Sequence, residues 1–495
     1  MGIVRKQSFM SSIFMYVGVA IGALNVMILI PKFFTKEELG LYNVLLDCSL
    51  FFASLITLGS LSTFVKFYPV YSSHLKPKEN DLPFWAILTT FIGTVLFLAF
   101  CLLFPELIEQ KFGKNSKLFV DNFYLLIPLT LCYTGILVME TFCWMTKKTV
   151  VSNFVKEVPF RLVILLLIIL YILKWINWHQ FFFLFSFIYL PGVFILLFTL
   201  IKDGSIRIVA KTSYVTKRLY HKVVTFTFFH FSGLLINILP KTIDAVMLAS
   251  INGLESTAVY SMSLYCLALM EIPQRSMIGI ASALISESWK NKDKAKLKEI
   301  YHKTSLNLLI VSLLIFGVMY PNMDNLIRFE GEGYALIKPI FLIGAIAKII
   351  DMGMGMNQQI LGNSKYWRID FFTSSVFVVL TIGVNYWAIH RWGVIGAAIG
   401  NAICLIGYNF LRFFYNWKLF RLQPFTKNTF YSLLVGGVAI TPVLLLPYLG
   451  NMYIDTIVRA GVFTAIYSFG ILYFNISSDF SDMYRMFVRK LKTRQ

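Results

Sequence analysis

Met10–Pro31 reads MSSIFMYVGVAIGALNVMILIP, 22 residues without one charged side chain. Wound as a helix, such a run rises about 33 Å, enough to cross a hydrocarbon core of roughly 30 Å. Arg5 and Lys6 stand ahead of it, as in a signal peptide. The run is too long for a signal h-region, however, and lacks a small-residue cleavage site. It reads as a first spanning helix.

Outward from that stretch the same pattern repeats. On a window of roughly 19 residues the sequence predicts about fourteen spans. The first six are Met10–Pro31, Leu41–Tyr68, Pro83–Phe104, Asp121–Cys143, Glu157–Trp175 and Phe181–Ile201. The next six are Val223–Ser250, Val259–Ile285, Thr304–Tyr320, Leu336–Leu361, Ile369–His390 and Val394–Trp417, followed by Thr429–Leu449 and Ile454–Phe474. Of the 495 residues, 57% are hydrophobic and 14% charged, with a mean hydropathy of +0.70. A soluble domain carries roughly 25% charged residues, so most of this chain cannot face water. The class is an all-α polytopic membrane protein.

The formal charge of +20 has a topological reading, because cytoplasmic loops of membrane proteins retain Lys and Arg. Alternate connections hold roughly 29 basic residues on the side of both termini, against about 8 on the other. That bias predicts cytoplasmic termini and needs no nucleic acid. The longest connections, Lys202–Lys222 and Ser286–Lys303, are about 20 residues, too short for a soluble catalytic domain. The stretch Ser286–Tyr301 alternates Lys with polar residues and is predicted to lie on the anionic cytoplasmic leaflet.

Cys48, Cys101, Cys132, Cys143, Cys266 and Cys404 all fall in apolar segments, with no CxxC and no His at metal-ligand spacing. The six His residues form no HExxH or similar cluster. Metal and nucleophilic catalysis have no support, and the expectation is a non-enzyme without catalytic residues, metal or cofactor.

Ionisable side chains deep in a bilayer cost roughly 2.5–3.5 kcal/mol each on insertion scales, so they need a reason. Three predicted spans carry one cation beside one anion: Lys241 with Asp244, Arg275 with Glu271, and Lys348 with Asp351. Spacings of three and four put each pair on one helical face. Such pairs either glue helices together or line a hydrated cavity. In the second case Lys241, Arg275 and Lys348 offer separated positive charges to a pyrophosphate, with Arg275 able to grip two oxygens. Asp244, Glu271 and Asp351 then hold the cations of an empty site, and protonation or sodium binding at any of them frees its cation.

Other embedded charges read more plainly. Lys66 and Arg412 lie near cytoplasmic helix ends and are expected to snorkel. Glu157 and Arg161 form an i,i+4 pair, Lys338 reaches water at an external end, and Asp47 and Glu140 are solitary carboxylates. Pro240, Pro128 and Pro273 are expected to kink their helices, and Met352–Met356 (MGMGM) to be pliable.

A faint repeat relates Glu37–Tyr42 (EELGLY) to Glu255–Tyr260 (ESTAVY), six spans apart, which predicts two lobes of the same orientation. Ile30–Tyr42 (IPKFFTKEELGLY), Pro240–Asp244 (PKTID), Gln359–Lys365 (QILGNSK) and Gly393–Gly400 (GVIGAAIG) then carry a wider resemblance. In this order and spacing they resemble motifs of the polysaccharide transporter (O-antigen flippase) family of the MATE-like exporter superfamily. Ala245 stands where that family's seventh helix has Arg, and Lys241 is the nearby cation.

The resemblance implies a V-shaped cavity between two six-helix lobes, residues 1–201 and 223–417, joined by a basic cytoplasmic linker, 202–222. Residues 418–495 then form two extra spans and a basic tail. It also implies ion-coupled movement of an undecaprenyl-pyrophosphate-linked oligosaccharide across a bacterial inner membrane, with membrane lipids and a proton or sodium ion as the other partners. A multidrug antiporter of the same fold, a lipid-linked peptidoglycan precursor flippase and, more distantly, a membrane glycan transferase are the competing readings.

Overall fold

The computed structural model describes residues 14, 17–18, 20–146, 148–204 and 208–481, apart from the side chains of 149, 203, 229, 232–241, 276, 279, 280 and 283. The basic residues ahead of the first span and those of the tail lie outside these residues. Every regular element among the described residues is a helix.

Numbering the helices that frame or position the site, the first eight are α1 Lys36–Ile56, α2 Ser60–His74, α3 Leu82–Leu103, α4 Leu126–Met145, α5 Thr149–Glu157, α6 Pro159–Ile172, α7 Leu190–Asp203 and α8 Tyr214–Asn252. They continue as α9 Leu254–Lys290, α10 Lys294–Met319, α11 Met323–Glu330, α12 Ile337–Gly353, α13 Asn357–Gly362, α14 Trp367–Phe420, α15 Lys427–Leu445 and α16 Met452–Tyr473. Start signals are visible in the sequence: Thr35 and Glu38 form a reciprocal capping box at α1.

Eight helices among the described residues are long and apolar enough to cross a membrane. The protein is a multi-pass membrane protein. Ile369–His390 and Val394–Trp417 are the two arms of the 54-residue α14, meeting at Gly393, whereas two other predicted segments look different for physical reasons. Glu157–Trp175 is interrupted at Val158, ahead of Pro159, and continues as the 14-residue α6. Leu336–Leu361 breaks at Gly355, whose φ of +59° stops α12 before α13 begins.

The chain divides into two compact units, Met1–Ala258 and Val259–Gln495. In the first, α1 packs against α3, α4 and α8. The N-terminal part of α8 is held by hydroxyls: Thr63 Oγ1 lies 2.8 Å from Thr227 Oγ1, and Tyr71 Oη 2.9 Å from Thr216 Oγ1. Asp81 accepts from the Ser213 amide at 3.0 Å and from Thr216 Oγ1 at 2.7 Å. These contacts keep α8 with the first unit, so the contact boundary falls one helix later than the basic linker.

In the second unit α14 packs on α12 and α13, and α10 packs on α12, α15 and α16. One apolar core gathers Ile285, Leu297, Tyr301, Met352 and Phe420; another gathers Leu309, Val443, Phe463 and Tyr467.

Two expectations change here. Ser286–Tyr301 is no separate helix on the leaflet: α9 runs to Lys290, α10 starts at Lys294, and Asp293 caps it by accepting from the Lys296 amide at 2.9 Å. Its apolar face, Leu297 and Ile300, faces its own core. Pro128 sits in the first turn of α4, where a proline removes no helical hydrogen bond.

Candidate functional site

The site in the second unit starts from two neighbouring turns of α9. Glu271 and Arg275 are four residues apart, so they share a face, and Arg275 Nη2 donates to Glu271 Oε2 at 2.5 Å. Across from them, α12 brings Lys348, whose Nζ lies 2.5 Å from Glu271 Oε1 and 3.8 Å from Asp351 Oδ2. Glu271 therefore has a cation on each oxygen. Spacing along one helix paired Lys348 with Asp351; in the structure its closer partner is on another helix.

Asp351 is held from the far side. Asn409 of α14 donates from Nδ2 to Asp351 Oδ1 at 2.8 Å and to the Leu405 carbonyl at 3.1 Å. Its Oδ1 accepts from Asn357 Nδ2 at 2.9 Å, and the Asn357 carbonyl accepts from Asn416 Nδ2 at 3.0 Å. A polar chain thus runs from Arg275 to Asn416 over α9, α12, α13 and α14. Exposure falls steeply along it: the side chain is 62% exposed at Arg275 and 19% at Lys348, and Asn409 is 1% exposed.

Physics explains this arrangement. Two cations and two carboxylates compensate each other within hydrogen-bonding reach, which a low-dielectric interior requires of buried charge. An exposed guanidinium in the middle of a long apolar helix is tolerated where it meets water rather than hydrocarbon. The cluster is therefore neutral as a whole, with its Arg275 end exposed.

Of the six candidate residues, the structure brings together Arg275, Lys348, Glu271 and Asp351. The Lys241 side chain, with those of Asn237 and Pro240, lies outside the described residues. Asp244 is buried in the first unit, with Asp47 near enough for their charges to interact. The asparagines were missed. Their signal was the seven-residue spacing of Asn409 and Asn416 within one apolar span, but neutral amides are too common in membrane helices to stand out beside ionisable groups.

Two expectations for other charges are corrected. Glu140 is not solitary: Lys156 Nζ lies 3.2 Å from both its carboxylate oxygens. Arg412 does not snorkel. It is 3% exposed, donates to Asp370 at 2.7 Å and stacks 3.8 Å from the Tyr408 ring centroid, because Asp370 on the preceding arm of α14 offers it an internal partner. Glu157 and Arg161 pair at 2.8 Å as expected, and Lys338 pairs with Asp324 at 2.7 Å. Among the described residues no three His, Cys, Asp or Glu side chains group as metal ligands.

The described residues form an all-helical membrane protein whose second unit carries this charge cluster. Its fold is shared with a solved lipid II flippase, MurJ in an inward closed conformation, at TM-score 0.75 and 15% identity over 94% of this chain and 98% of that one. It is similar also to an inward-facing multidrug resistance MATE family transporter of the MOP superfamily, at TM-score 0.63 and 12% identity over 81% and 94%. A MATE protein in the straight conformation matches at TM-score 0.55 and 12% identity over 84% and 95%. No protein-family model matches the sequence, and no curated protein does.

Proposed function

We propose that the chain is a flippase for an undecaprenyl-pyrophosphate-linked oligosaccharide, such as an O-antigen, capsule or exopolysaccharide repeat unit. It moves its substrate across the bacterial cytoplasmic membrane by ion-coupled alternating access. The observation that carries this reading is Arg275: a mid-helix guanidinium, largely exposed, at the head of an otherwise buried charge network. A guanidinium grips two phosphate oxygens at once, and Lys348 behind it adds a point charge. Glu271 and Asp351 are the counter-ions of these two cations. With the headgroup held, the sugar needs only a hydrated path.

A lipid-linked peptidoglycan precursor flippase is the second reading, favoured by the likeness to the lipid II flippase over nearly both whole chains. Both substrates present the same diphosphate, so Arg275 serves either. Complementation of defined flippase deletions, with leaflet-resolved detection of the lipid-linked sugar, separates them. Arg275→Gln is expected to abolish transport while leaving membrane insertion intact, because an exposed ion pair contributes only about 0–1 kcal/mol to stability. Full transport by Arg275→Gln would remove the headgroup role.

A further inference from the structure

We propose that Glu271 is the exchangeable anion of this site and Asp351 the fixed one, with Asn409 as the positioning residue that makes them different. The inference rests on the headgroup reading above and assigns the ion coupling of that site to one carboxylate.

The partners of the two carboxylates differ in kind. Glu271 is bonded to Arg275 and Lys348, the two cations an incoming diphosphate attracts. When the headgroup draws them away, Glu271 is left partly buried with a negative charge beside two more. A proton from solvent on Glu271 removes that charge and frees both cations for the phosphate oxygens. Asp351 loses only the more distant of its partners, the Lys348 ammonium 3.8 Å away, and keeps its amide donor, which belongs to neither cation.

Asn409 cannot turn its oxygen toward Asp351. Both Nδ2 hydrogens are committed, to Asp351 and to the Leu405 carbonyl, and Oδ1 is committed to Asn357. A donor fixed in this way stays on Asp351 whether or not the cations leave. Within this unit, the charged groups facing Glu271 among the described residues are Arg275 on its own helix and Lys348 on α12, with Asp351 facing Lys348 in turn. From α14 come the Asn409 amide and Tyr408, which lies near Asp351 and near the Asp370–Arg412 pair.

The test uses purified full-length protein in detergent, inorganic pyrophosphate as the probe, and calorimetric titration in buffers of differing ionisation enthalpy. Wild type is expected to take up about one proton per pyrophosphate bound, its affinity falling about tenfold per pH unit where that uptake is required. Glu271→Gln is expected to bind with no uptake and a flat pH profile, whereas Glu271→Asp retains uptake and controls for folding. The decisive variant is Glu271→Gln with Asn409→Leu: Asp351, stripped of its donor, becomes the acceptor, and uptake of about one proton returns. A merely structural role for Asn409 would not restore it. Uptake surviving Glu271→Gln, or failing to return in the double variant, overturns this inference alone. Absence of pyrophosphate binding by wild type removes the headgroup reading and this inference with it.

Discussion

Lys348 sits between two carboxylates at unequal distances, 2.5 Å from Glu271 and 3.8 Å from Asp351. Its removal leaves two largely buried anions facing each other with one fewer cation. Breaking one partner out of a buried pair costs about 3–5 kcal/mol. Lys348→Leu is therefore expected to lower thermal stability in detergent by an amount near the lower end of that range, given the partial exposure of the site. Adding Glu271→Gln should recover part of the loss, since it deletes the anion left uncompensated; a double variant no more stable than Lys348→Leu would contradict the pairing. All four charged residues of this cluster were legible in the sequence from spacings of three and four. The Glu271–Arg275 pair was read correctly; the nearer partner of Lys348 was not, because spacing reports neighbours on one helix only, and that contact joins α12 to α9.

At the scale of elements, hydropathy separates the two arms of α14 but does not show how closely they pack. Its two apolar arms meet at Gly393, at φ +57° and ψ −133°, where the backbone is not helical. Beyond that joint the arms touch: a Cβ on Gly396 would lie 2.0 Å from the Ala388 carbonyl oxygen. The motif Gly393–Gly400 was readable as a small-residue helix start, but the backbone it must clear lies on the other arm and leaves no trace in a window average. Gly396→Ala is expected to push the arms apart and cost about 1–3 kcal/mol, the usual range for overpacking. Gly407→Ala, on the same arm with nothing within 4 Å of the added carbon, is expected to cause no loss and serves as the matched control. Differential scanning fluorimetry of the two variants checks both signs. Equal behaviour would show that the close approach does not hold the hairpin.

For the whole molecule, fold class was legible because composition leaves no alternative to apolar helices. What a sequence of this kind encodes more weakly is which side each loop faces, and α10 is the place to test it. The basic turn before it carries Lys290, Lys292, Lys294, Lys296 and Lys298, all exposed. Beyond its other end lie the acidic residues Asp324, Glu330 and Glu332. The 26 residues of α10 rise about 39 Å, more than the hydrocarbon thickness, so the two ends must emerge on opposite faces. Cytoplasmic retention of Lys then places the turn inside. The native cysteines lie in apolar segments, five of them buried, so they give little background to an impermeant thiol reagent. Glu332→Cys is expected to label in intact cells and Asn291→Cys only after permeabilisation. The reverse pattern would invert the whole chain in the membrane, and the proposed headgroup would then have to enter from the leaflet to which a flippase delivers it.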